Sequence, residues 1–258
     1  MEEITDYKLL LDTAVLAGEI MIKSGAEIYR VEDTINHILK MSHLKRTEAF
    51  VTTTGMFATL DDPGIDAITV VRRIAERDMN LFRIWRVNDL SRQFCEGRIT
   101  LKEIFRELKH IEQSTYTPFV KDLGTILVAA GFVPLMGGQT VFDILGGGIC
   151  GLLLVLIQHF GKFIGFNSFI QDVFGSALIA VGAMLMSRIP VLDVNMDVTI
   201  ISAIMPLVPG AAITTAIRDT LQGDYMAGGA KAIEAFIKAV AIVVGVALGM
   251  LLMGGISL

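Results

Sequence analysis

Cysteine is scarce in this chain: Cys95 and Cys150 are the two among 258 residues. One lies in a charged stretch and one in an apolar stretch, so neither a disulfide framework nor a metal-ligand spacing is present. Both read as inert thiols facing a reducing cytosol or lipid. The four histidines, His37, His43, His110 and His159, are scattered, so no metal site is expected. A Gly-rich phosphate loop, a Gly-x-Ser-x-Gly elbow and a dinucleotide fingerprint are all missing. That removes the usual signatures of ATP-driven work, serine hydrolysis and redox chemistry, and no cofactor is implied. Excess positive charge is missing too. The net charge is −5, and although Arg72, Arg73, Arg77, Arg83 and Arg86 cluster, acids are interleaved with them. A solvated face fits better than a nucleic-acid surface. The opening Met1–Tyr7 stretch has no basic segment followed by an apolar run, so no secretory leader is expected and the front of the chain should remain cytoplasmic.

Charge is unevenly missing. The chain is 53% hydrophobic, and most of its 22 basic and 27 acidic residues precede Asp122. Residues 1–115 therefore read as a cytoplasmic α+β domain and 116–258 as a transmembrane domain. Five apolar windows follow Pro118, at 119–138, 141–160, 167–187, 199–217 and 232–255. A membrane span needs about 20 residues, so an α-helical membrane protein of about five spans is expected. Lys109, Lys121, Lys162, Arg218 and Lys231 fall on one side of such a bundle, while the other receives Arg188 with Asp193 and Asp197. Lys and Arg favour the cytoplasmic side, which predicts a cytoplasmic N-terminus and an outside C-terminus.

In the front domain, Ile28, Val31, Ile35, Ile38 and Leu39 recur at helical spacing, and two helices over 5–23 and 26–42 are expected to meet at Ser24-Gly25. Phe50–Thr54 and Ile68–Val71 are β-branched runs separated by the turn sequence Asp61-Asp62-Pro63-Gly64, which predicts a small antiparallel sheet. Helical spacing returns at 86–96 and 100–112, the latter opened by a Thr100/Glu103 capping box.

The fourth window is broken in its own middle by Pro206, Pro209 and Gly210. Proline removes a backbone donor and clashes one turn back, and freed backbone at membrane depth is tolerated only where protein or a polar cavity surrounds it. Secondary transporters build solute sites from such broken helices. Arg218, Asp219 and Asp224 follow the break, as solute or proton groups or as interfacial anchors. Asp143, Asn167 and Asp172 lie at span edges, where they could face the pathway or simply sit at the interface. Gly147/Gly151 and Gly245/Gly249 mark small-residue faces suited to close helix packing, including packing against a second half.

Two stretches carry a resemblance. Ser24-Gly-Ala-Glu-Ile-Tyr-Arg-Val-Glu-Asp-Thr-Ile35, and Met205-Pro-Leu-Val-Pro-Gly210 followed by Ala216-Ile-Arg-Asp219 and Gly223-Asp224, look like the threonine/serine exporter family. The chain resembles in particular the long N-terminal component of its split two-protein form. Gly25, Tyr29, Arg30 and Glu32 match the family's soluble motif; Pro206, Pro209, Gly210, Arg218, Asp219 and Asp224 match its membrane motif. The resemblance implies a gradient-driven secondary exporter of small hydrophilic carboxylates, threonine and serine or succinate-type dicarboxylates, in the inner membrane. It also implies a second, small multi-span membrane protein as partner. Two other readings stay open: a non-transporting membrane scaffold, and a membrane-anchored hydrolase acting through the cytoplasmic domain. The scaffold does not call for a proline-broken span, and the hydrolase lacks a marked nucleophile beside Asp61, Asp62 and Asp66.

Overall fold

A computed structural model describes residues 6–75, 77–113 and 117–254. The chain forms two compact units, the first made of 1–115 with 211–233 and the second of 116–210 with 234–258. The expected domain boundary at 115/116, residues 1–5 and the C-terminus itself lie outside the described residues.

In the first unit, helix α1 (Tyr7–Lys23) starts where Asp6 accepts the Leu9 N–H at 2.9 Å. It is buried nearly all round, with Leu10, Leu11, Ala14, Ala17, Ile20 and Met21 closed to solvent. Helix α2 (Ile28–Lys40) shows α1 only one stripe, Val31, Ile35, Ile38 and Leu39, as its sequence period requires. Gly18 lets the two approach: a Cβ there would lie 2.5 Å from Ile35 Cδ1.

The sheet has three antiparallel strands in the order β1 (Arg46–Thr52), β2 (Gly55–Asp62), β3 (Ile65–Arg73). The turn at Asp62–Ile65 matches the sequence expectation, but two features differ. Thr53 and Thr54 turn the chain instead of extending a strand, and Gly55–Asp62 forms the central strand that no β-branched run had announced. Its signal is alternation alone: Met56, Ala58 and Leu60 face inward. Helices α3 (Leu81–Cys95) and α4 (Leu101–Gln113) complete the layer. The Thr100/Glu103 capping box is present, with the Thr100 N–H donating to Glu103 at 2.8 Å and the Glu103 N–H to Thr100 at 3.3 Å. Nearly all of helix α9 (Gly210–Leu221) and the start of α10 (Tyr225–Gly254) also belong to this unit, and Ala227 joins its core.

The second unit packs α5 (Pro118–Leu135), α6 (Val141–Ile164), α7 (Ser168–Ser187), α8 (Met196–Ile204), the 3-10 turn Met205–Leu207 and the remainder of α10. Among the described residues, four helices are long and apolar enough to span a membrane, or five if the bent pair Met196–Leu207 and Gly210–Leu221 is one span. The last helix begins at Tyr225, several residues before the apolar window 232–255, and holds the buried Lys231 within it.

The small-residue faces are consumed within the chain. A Cβ on Gly151 would lie 2.8 Å from Ala129 Cβ of α5, and one on Gly249 would lie 2.5 Å from Ala177 O of α7. Gly147 and Gly245 are equally crowded by α5 and α7. These faces pack where helices cross, as expected, and they are seams of this bundle rather than surfaces left for a second half.

Candidate functional site

The two sequence motifs, almost two hundred residues apart, meet at the N-terminus of α2. Both helix ends that deliver them close with a left-handed glycine. At Gly25 (φ 79°) the Ala26 N–H returns to Met21 O at 3.0 Å, and at Gly223 (φ 94°) the Asp224 N–H returns to Asp219 O at 2.9 Å. A side chain at either position would strain that backbone. Glu27 stands at the cap of α2 without donating or accepting a side-chain cap bond. The missing acceptor comes from Asp219, whose Oδ1 takes the Ile28 N–H at 3.0 Å. A carboxylate there satisfies an orphan donor and complements the helix dipole.

Asp219 is fully buried, and its other oxygen accepts from Lys231 Nζ at 2.7 Å. The same ammonium donates to Ala26 O at 3.0 Å. Beside this pair, Glu27 is bridged by two arginines, Arg30 at 3.1 Å on Oε2 and Arg218 on Oε1. Burial pushes the Glu27 carboxyl up, but its own backbone N–H and the two guanidiniums outweigh burial and hold it below the usual range. Its ion pairs are lost only as pH falls through that lowered pKa.

Two nearby acids behave oppositely. Burial raises the pKa of Glu32, against a 2.9 Å bond from the Val51 N–H, and the charge of Asp224 adds to the rise. Burial and then Asp219 raise Asp224, against the pull of Lys231. A raised carboxyl binds its proton more tightly when folded, so its contribution to stability is lost as pH rises from the unfolded value through the folded one. Glu32→Gln should therefore gain melting temperature over the unsubstituted chain as pH rises from about 4 to 7, since an amide oxygen still accepts from Val51. A gap that stays constant or shrinks across that range would place Glu32 in solvent.

The remaining expected site residues go elsewhere. Asp143 is buried in a capping box at the start of α6, accepting from the Thr140 and Gln139 N–H groups and, at 2.7 Å, from the Asn195 N–H. Asn167 caps α7 by accepting from the Ile170 N–H at 2.9 Å. Asp172 is buried on α7 with Lys238 Nζ at 3.9 Å. Tyr29 is half-buried in the first turn of α2. Pro206 lies within the 3-10 turn, and Pro209 separates it from α9. The break is held locally by the Val208 N–H to Met205 O at 3.2 Å and the Gly210 N–H to Val208 O at 2.9 Å.

Sequence reasoning missed two participants. Lys231 looked like a loop cation marking membrane topology; its place twelve residues after Asp219 was the available signal. Glu27 lay inside a quoted motif, and its poor fit as an N-cap residue hinted that the cap was supplied from outside. The arrangement is a closed network: each carboxylate oxygen of Glu27 and Asp219 has a donor, and Lys231 has two acceptors. It fastens 211–233 to α2.

Several long apolar helices with one broken by paired prolines define a multi-pass membrane protein. The family model described as "Putative threonine/serine exporter" matches residues 12–253, and the chain belongs to that family. It is also 23% identical, over 248 residues, to a "Probable threonine/serine exporter" of Mycobacterium tuberculosis, covering 92% of this chain and 45% of the relative. The chain thus spans about half the length of that curated relative. No solved structure matches it.

Proposed function

We propose that this chain is one subunit of a gradient-driven exporter of small hydrophilic carboxylates, threonine and serine foremost, with succinate-type dicarboxylates as the second solute class. The observation that carries the proposal is the interruption at Val208–Pro209 within an apolar helical bundle, in a member of an exporter family. Interrupted helices offer backbone groups to a polar solute. Arg218, which holds Glu27, is the group for which a solute carboxylate would compete, and Asp224, with its raised pKa, is the candidate proton carrier. Asp219 is already satisfied on both oxygens. The proposed assembly has two proteins, as the resemblance to the family's split form implies, with a second small membrane protein as partner. The proposed placement is the inner membrane, with the N-terminus and the 1–115 domain cytoplasmic and the C-terminus outside.

The test is efflux of labelled threonine, serine and succinate from proteoliposomes. The chain alone should export nothing, and activity should appear when a candidate second subunit is co-reconstituted. Transport by the chain alone would sink the two-protein form. Absence of flux with every solute in both preparations would sink the exporter reading.

A further inference from the structure

The first turn of α3 presents its largest apolar side chains to solvent. Leu81 is 71% exposed, Phe82 52% and Trp85 58%, with Met79 at 40% just ahead of the helix. The Phe82 and Trp85 rings lie 5.8 Å apart, so they form one patch. The helix is not loosely held: Ile84, Val87 and Leu90 are buried on its opposite face, and Asn80 caps it by accepting from the Arg83 N–H at 3.0 Å. A rigid helix therefore displays an apolar tip that this unit's core leaves outside.

The charge around the tip is predominantly basic. Five arginines and two acids fall between residues 72 and 86, and none of the acids lies beyond Asp78. This is a basic segment in a chain of net charge −5. Arg73 at the end of β3 and Arg77 in the connection are exposed. The connection is pinned beside the α1–α2 turn by the Asp78 N–H to Lys23 O at 2.8 Å and the Asn80 N–H to Ser24 O at 3.1 Å.

Trp, Phe and Leu beside arginine are the composition of a helix that lies in the headgroup boundary of a bilayer. A protein partner would be satisfied by the apolar patch alone, whereas the arginine cluster complements anionic headgroups specifically. The patch is also tethered to apolar spans, which keeps a bilayer at high effective concentration. We propose that the tip of α3, formed by Met79, Leu81, Phe82 and Trp85 with Arg73 and Arg77, docks on an anionic lipid surface.

Trp85 is the chain's one tryptophan, so its fluorescence reports this patch alone. The full chain is reconstituted in vesicles of phosphatidylcholine with or without phosphatidylglycerol, with brominated acyl chains as the quencher. In the anionic vesicles Trp85 emission should shift to shorter wavelength, lose most of its intensity to the brominated chains and resist aqueous iodide. Each arginine near an anionic surface is worth roughly fivefold in partitioning, so Arg73→Gln should lower docking by about that factor. High salt should act in the same direction, and Phe82→Ser should weaken quenching without altering the far-ultraviolet helical signal. Emission open to iodide and untouched by brominated lipid in both vesicle types would overturn the proposal. So would protection from iodide that appears only when a second membrane protein is added.

Discussion

Asp219→Ala should lower the unfolding free energy of the first unit by about 3–5 kcal/mol, the range for breaking a buried ion pair from one side. The substitution removes the acceptor of the Ile28 N–H and leaves the Lys231 ammonium, which is itself buried, with Ala26 O as its named partner. The second term dominates, since an orphaned amide costs only about 1–3 kcal/mol while a buried unpaired charge costs more. Lys231→Met should be harmful for the reciprocal reason. The Asp219→Ala/Lys231→Met double variant should recover much of the loss, because both charges then leave together. Denaturant unfolding of the purified chain in detergent, followed through a double-mutant cycle, reads the coupling. A cost for Asp219→Ala within about 1 kcal/mol, as for an exposed pair, would mean that 211–233 is not fastened to α2 as described.

That network marks the limit of what the sequence disclosed. Helix positions were legible wherever a 3.6-residue period met a punctuation mark: Ser24-Gly25 closes α1, Thr100/Glu103 opens α4, and Asp62–Gly64 turns the sheet. The central strand was not, because Gly55–Asp62 is held by neighbours on both sides and needs no β-branched residues to be a strand. The apolar spans were visible as windows poor in charge, yet Lys231 hid the true start of α10, since a buried, ion-paired cation looks the same in sequence as a solvated one. Asp143 and Asn167 were recognised as notable, but their capping role was not. Both act as helix caps, a role their positions just at span starts had encoded. The meeting of Glu27 with Arg218 and of Asp219 with α2 depends on tertiary structure and has no local signature, although each partner already stood in a recognisable motif.

In the proposed exporter, co-reconstituted with its second subunit, replacing Pro206 and Pro209 together with alanine should abolish export while leaving the protein folded and inserted. Proline is about 3 kcal/mol less favourable than alanine in a helix interior, so two replacements remove the main obstacle to a continuous helix from Met196 to Leu221. The stretch leading into the break is poised to join it: Ile204 and Met205, just before Pro206, are already helical, and Val208, between the prolines, is the residue that leaves helical geometry. Healing the break would withdraw the backbone groups on which the proposed solute contact depends. Flux should therefore fall to the level of empty vesicles, and solute affinity should be lost with it, rather than turnover alone. Pro134→Ala is the control. That proline sits one residue from the end of α5 and interrupts nothing, so its replacement should leave export nearly unchanged. If the Pro206→Ala/Pro209→Ala protein, shown by melting temperature and membrane extraction to be intact, exported at the rate of the Pro134→Ala control, the broken helix would be a packing feature and the solute site would lie elsewhere in the bundle.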